Sequence, residues 1–328
     1  MVSALVYTLM LATGGRILSV IDWLLDSDPS IRWQVMRDLT DAPAHEVAAE
    51  RAKVATEGWA PRLLSLQAAD GRWGGGAAIP HSTSTNYTLW LLRTMGLDPA
   101  SAGARRAVAL VRERVRWEYD ERMRFFDGEV EPCVNGTAVA VGAYFGEDVR
   151  GIVERLLGEQ MADGGWNCEQ ENGSTRGSFN TTICVLEGLL EHERAKGGSP
   201  VVTAARQRGQ EYLLERRMLR RLSTGELIDP AWTRSSFPPG WHYDVLRGLD
   251  HLRAAAAAPD DRIAEAIALV EEKRDAHGRW PLEARKPAFR GKPHEGEVHF
   301  EMDEGIARPS RWNTLRALRV LRWARRAT

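Results

Sequence analysis

Three residues far apart in the chain, Cys133, Cys168 and His242, carry two thiols and an imidazole, a donor set that zinc favours. Carboxylates flank two of them: Glu131 precedes Cys133 by two positions and Asp244 follows His242 by two. Either acid can complete a tetrahedron or move a proton, and Tyr243 between His242 and Asp244 adds a third candidate for catalysis. A second set is aromatic: Tyr87, Trp90, Phe179, Trp241 and Trp312, in a chain with 12 tryptophans. Rings of this kind line cavities, hold apolar ligands and stabilise cations. No compact zinc motif has this linear spacing, so the chemistry depends on what brings these residues together.

The chain repeats itself. Gln67, Gly71 and Trp73 share their spacing with Gln160, Gly164 and Trp166, and Arg274, Gly278 and Trp280 repeat it. Weaker echoes occur at Gly128 and Gly225. Each marker follows one helical pattern and precedes another: the glycine ends a helix with positive φ and the tryptophan packs the turn down. Apolar helices are expected over 30–40, 85–95, 134–145, 179–190, 242–255 and 312–324. More polar helices alternate with them over about 17–25, 46–67, 101–116, 148–161, 201–220 and 260–274. Six hairpins closing into a ring make an all-α, α/α toroid of six inner and six outer helices, because closure buries both ends of an open array. The repeat covers 1–328 as one domain. The segment 283–307, rich in Pro, Gly and charge and containing His294 and His299, reads as a mobile loop.

Inner helices of a toroid run parallel, so their entry loops meet at one mouth. Cys133 lies just before one inner helix, Cys168 in the loop entering the next, and His242 opens the one after. Cys184, between Ile183 and Val185 in mid-helix, reads as a small core filler. Arg311, Arg316, Arg319 and Arg322 on the last helix read first as a solvated stripe, with Arg311 or Arg316 as an alternative contact for a diphosphate or carboxylate.

A formal net charge of −1 gives no overall field towards nucleic acid. Three cysteines form no disulfide framework and suit a reducing cytoplasm. The apolar opening, 1–12, is too short to span a bilayer and reads as a packing helix, which leaves peripheral membrane contact open. No phosphate-binding glycine loop or nucleotide fold is apparent.

The Gln-x-x-x-Gly-x-Trp marker resembles the QW motif of squalene-type cyclases. The whole chain is similar to bacterial prenyltransferase and squalene-oxidase repeat proteins, within the terpenoid cyclase and protein prenyltransferase β-subunit superfamily. The cyclase Asp-x-Asp-Asp motif aligns with Cys133, Val134, Asn135 and Gly136, so every acid is replaced, although Thr137 and Ala138 match. No Asp-Asp-x-x-Asp sequence occurs. Glu131 and Cys133 resemble the Asp-x-Cys zinc pair of prenyltransferases, but no histidine stands near Phe179, where the family's third ligand falls.

The resemblance implies an enzyme with a central cavity acting on a hydrophobic, isoprenoid-like small molecule. Zinc would be held by Cys133, Cys168 and His242, with Glu131, Asp244 and Tyr243 as catalytic groups. The rivals are a binding toroid that has lost the cyclase acid, and a cyclase using a different acid such as Asp244.

Overall fold

The computed structural model describes residues 19–79, 82–285 and 298–325. The apolar opening, His81, His294 and residues 286–297 of the expected loop lie outside them. In chain order the helices are α1 (Val20–Leu25), α2 (Pro29–Leu39), α3 (Ala44–Ala52), α4 (Trp59–Ser65), α5 (Thr85–Met95), α6 (Ala102–Arg114) and α7 (Pro132–Phe145). They continue as α8 (Arg150–Gly158), α9 (Phe179–Lys196), α10 (Pro200–Glu215), α11 (Val245–Ala254), α12 (Ala264–Glu272) and α13 (Arg311–Ala324). Among the described residues extended pairing is limited to isolated bridges, so the fold is all-α.

Helices α2, α5, α7, α9, α11 and α13 form the inner ring of an α/α toroid, each packed on the next, with α13 returning to α2. The remaining side of the ring, α5 on α2, is tied by Trp33 Nε1 to the Met95 carbonyl (2.8 Å) and Gln34 Nε2 to the Thr94 carbonyl (3.2 Å). Starts lie beside starts: Asn86 reaches the Val134 carbonyl and Asn180 accepts from the Tyr243 amide. Ends lie beside ends: Tyr144 donates to the Leu97 carbonyl, Arg194 to Ala254 and Arg322 to Asp38. The inner helices therefore run parallel.

The repeated turns have one bonding scheme. Trp73, Trp166 and Trp280 are all buried, and their indole N–H groups donate to carbonyls ten residues back, at Leu63, Leu156 and Val270. Their backbone amides donate to Thr85, Thr182 and Thr314, each in the first turns of the next inner helix. Gln67 and Gln160 bridge their own turn to the following outer helix through the Ala107 and Ala205 carbonyls.

Two boundaries differ from the sequence reading. The expected helix over 46–67 breaks into α3 and α4 at Gly58, where φ is +77°. There the Asp28 carboxylate accepts from both Ser30 N and Trp59 N (2.8 Å each), capping α2 and the start of α4 together. The helix expected from His242 begins at Val245 because Asp244 caps it, accepting from Arg247 N at 2.8 Å. The described ends of segment 283–307 are anchored: Leu282 and Arg308 pair through their backbones, and Thr88 meets His299 at 2.7 Å.

The closest seam joins α7 to α9. A Cβ on Gly136 would lie 2.5–2.6 Å from backbone atoms of Cys184 and Val185, and one on Gly188 would strike the Gly136 carbonyl. Gly136→Ala should therefore destabilise the protein by about 1–3 kcal/mol through overpacking. Gly151→Ala in α8, where a Cβ meets nothing within 4 Å, should gain about 0.5 kcal/mol. Urea unfolding of both variants measures the difference, and equal midpoints would contradict the seam.

Candidate functional site

At the mouth where the inner helices begin, Glu131 occupies the N-cap of α7, Pro132 its first position and Cys133 its second. Cys133 Sγ lies 3.4 Å from Glu131 Oε2. Cys168 arrives from the loop after the Trp166 turn, a loop held by Asn167, whose side-chain N–H donates to the Arg176 carbonyl at 2.7 Å. Cys168 Sγ sits 3.4 Å from Thr181 Oγ1 at the start of α9. Donor atoms of Glu131, Cys133 and Cys168 all lie within 4.8 Å of one another. The two thiols are unequal: the hydrogen bond from Cys133 to Cys168, followed by burial, pushes Cys133 well above the ordinary thiol range. The same bond lowers Cys168. Cys133 thus keeps its proton and Cys168 takes the negative charge more readily.

His242 does not join that group; its ring stacks on Trp241 with centroids 4.0 Å apart, and its carbonyl accepts from Arg247 at 2.6 Å. Asp244 is fully buried, and beyond capping α11 it accepts from Ser236 N and Oγ at 3.3 and 3.2 Å. Its carboxylate is committed to holding the chain, a setting unlike that of an acid exposed to a substrate. Tyr243 is also fully buried and donates to the Met218 carbonyl at 2.7 Å. It packs in one cluster with Phe179 and Trp232. Phe179 is therefore a wall residue. Tyr87 is buried near Cys133, and desolvation pushes its hydroxyl well above the usual range.

Trp90 and Trp312 do reach a cavity, one of about 560 Å³ to which all six inner helices contribute. Phe237 stacks on Trp312 at 4.4 Å and completes an aromatic wall, whereas Tyr87, Phe179, Trp241 and Tyr243 are not among the lining residues. About half of the lining is charged: Arg37, Arg51, Arg93, Arg194, Arg247, Arg253, Arg316 and Arg319 stand with Asp38, Glu187, Glu191 and Asp250. Arg316 and Arg319 are only 6% exposed, which corrects the reading of the last helix as a solvated stripe. Arg311 instead reaches the Asp26 carbonyl and Arg322 the Asp38 carbonyl.

Ion pairs link the inner helices. Arg93 meets Glu191 at 2.7 Å, Arg247 meets Glu187 at 2.8 Å and Arg319 meets Asp38 at 2.5 Å. Glu187 is held down to about 2 because Arg247 outweighs the cost of burial. Arg319 is lowered to about 10, first by desolvation and then by neighbouring Arg253 and Arg37 against the pull of Asp38. Sequence reasoning missed Arg93, Glu187, Glu191 and Arg247. The available signal was charge at helical spacing, such as Glu187 and Glu191, inside helices that are otherwise apolar.

No protein-family model matches this chain, and no curated protein does. Among solved structures it is similar to the apo form of the type II terpene cyclase MstE from Scytonema. That likeness has 17% identity and a TM-score of 0.44 and covers 92% of this chain and 87% of that one. No helix among the described residues is long and apolar enough to cross a membrane.

His251, on the cavity wall, is only 4% exposed, and burial lowers its pKa from 6.5 to about 3. The unfolded chain therefore takes up this proton near pH 6.5 while the folded chain stays neutral, so stability falls as pH drops from 6.5 towards 3. Between roughly pH 6.5 and 4.5, above the ordinary carboxylate range, His251→Gln should flatten this slope by up to about 1.4 kcal/mol per pH unit. Chemical denaturation across that window checks it; parallel slopes for the two proteins would place the proton elsewhere.

Proposed function

We propose that this toroid is a zinc-dependent enzyme acting on a small molecule with a hydrophobic body, with the ion held at the mouth where the inner helices begin. The convergence of Glu131, Cys133 and Cys168 within 4.8 Å carries the reading. Two sulfurs and a carboxylate oxygen are a donor set that suits zinc. Two sulfurs on one tetrahedral ion at about 2.3 Å stand about 3.8 Å apart, within reach of this cluster by side-chain rotation. Three protein ligands leave one position open, the pattern of catalytic rather than structural zinc. Glu131 takes the place expected of His242, whose ring is engaged with Trp241.

When bound, the ion supplies a Lewis acid and lowers the pKa of a coordinated water or thiol. The chain's own residues prepare the site. Glu131 stands beside Cys133 at the start of α7, and Thr181 positions Cys168. Tyr87 of α5 is buried close to Cys133 and Glu131. A purely binding toroid is the second reading, favoured by one observation. At the position of the cyclase acids, Asn135 clamps the Glu129 backbone through bonds of 2.7 and 2.6 Å and offers no acidic proton. Asp244, the other candidate acid, is spent as a helix cap.

Protein purified with ample zinc should carry one ion per chain by elemental analysis. Cys133→Ala and Cys168→Ala should each lose most of it, whereas Cys184→Ala and His242→Ala should keep it. Zinc retained in Cys133→Ala, or none in the parent protein, would sink the metal reading.

A further inference from the structure

We propose that Cys133 and Cys168 are an oxidation site, at which a small-molecule disulfide converts the two thiols into an internal disulfide joining the start of α7 to the loop before α9. Closing that bond needs no metal; only its consequence for a bound ion rests on the zinc reading above.

The two sulfurs are 35 residues apart in sequence and meet only in the folded chain. Cys133 sits in the first turn of α7, and Cys168 in the loop between the Trp166 turn and α9. They share a hydrogen bond, and both lie with Glu131 inside a span of 4.8 Å. A disulfide brings its sulfurs to about 2.05 Å, so less than about 3 Å of approach is missing. Helix α7 does not supply that movement. Its backbone is seated on α9 so closely that a Cβ on Gly136 would fall 2.5–2.6 Å from Cys184 and Val185. The loop supplies it: Cys168 is half-buried, residues 169–173 after it are exposed, and its sulfur is held only by a 3.4 Å contact with Thr181 Oγ1.

Exposure also sets the order of events. Cys133 is 5% exposed and shielded from an incoming oxidant, so Cys168 reacts first. The Cys168 thiolate attacks one sulfur of a disulfide RSSR, forms a mixed disulfide and expels RS⁻, which takes up the proton Cys168 gave to solvent. Cys133 then attacks Cys168 Sγ and expels the second RS⁻, which leaves as RSH with the proton of Cys133. Two protein thiols are oxidised and one small disulfide is reduced to two thiols. Cys184 takes no part: it is 1% exposed, its sulfur meets the Trp241 carbonyl at 3.5 Å, and it stands outside the cluster. Once bonded to each other, the two sulfurs are no longer thiolates, the form that ligates a metal.

Hydroxyethyl disulfide, small and uncharged, is the probe, applied to the full chain after a chelator has removed any metal. Thiols counted after denaturation should fall from three to one, and mapping without reduction should recover Cys133 joined to Cys168. Cys184→Ser should fall from two thiols to none. Cys133→Ser should stop at a stable mixed disulfide on Cys168, and Cys168→Ser should react at least tenfold more slowly than the parent. Three persisting thiols, a bridge that includes Cys184, or a parent chain that stops at the mixed disulfide would each overturn the proposal. Parent and Cys184→Ser decide it even if the other two variants do not fold. In zinc-loaded protein the bridged form should keep less than a tenth of the metal, and full retention would refute that consequence. The metal-free arm separates the two readings: a chain that never binds zinc can still close the bridge, and one that never closes it can still bind zinc.

Discussion

Parallel packing of the six inner helices is the constraint on which the rest of the structure depends. Each helix brings a partial positive charge to one mouth and a partial negative charge to the other, about half an elementary charge at each end. The sequence complements both. All six N-cap positions of the inner ring carry side-chain oxygens: Asp28, Ser84, Glu131, Ser178, Asp244 and Ser310. At the other mouth Arg51, Arg194 and Arg322 donate to terminal carbonyls. Capping oxygens gather at one mouth and these three guanidiniums meet the terminal carbonyls at the other, as a parallel ring of helix dipoles favours.

The turns that keep the ring parallel are also its most repetitive element. A tryptophan buried under a glycine turn fixes the end of one outer helix and the start of the next inner helix through two backbone-directed bonds, one to a carbonyl and one to a threonine. These turns precede α5, α9 and α13, every second inner helix. The intervening helices α7 and α11 begin instead at Glu131 and Asp244. Without the tryptophan clamp, these two entries carry Glu131, Cys133 and the capping Asp244.

This division explains what was legible in the sequence. Gly71, Gly164 and Gly278 with their tryptophans mark chain reversals locally, so the helical hairpins and the ring could be read from spacing alone. Cys133 and Cys168 were legible as a pair once the ring placed consecutive entry loops together. His242 was not, because ring orientation depends on local packing against Trp241, which spacing does not encode. The aromatic set was half misread for the same reason. Tyr243 and Phe179 satisfy the periodicity of an inward face, yet they meet each other and Trp232 inside the wall. The charged axis was hidden more deeply, since Arg93 pairs with Glu191 and Arg247 with Glu187, between elements far apart in sequence.

These buried pairs set the character of the axis. Replacing buried ion pairs with well-packed hydrophobic residues is often neutral or stabilising, so stability alone is a poor reason for them. Arg93 of α5 and Trp90 of the same helix both reach acids of α9, bypassing α7, which lies between. They can do so because α7 is built largely of small residues, Gly136, Ala138, Ala140, Gly142 and Ala143 among them, and leaves the axis open in front of it. Long charged side chains then brace the opposite walls apart, and stacked Phe237 and Trp312 close one flank. A hydrophobic axis would collapse onto itself, whereas struts with fixed partners keep a cavity open and hold its donors in place before a ligand arrives. That preorganisation lowers the ordering cost of binding, and it is a reason for a toroid to retain charge where packing alone would favour leucine.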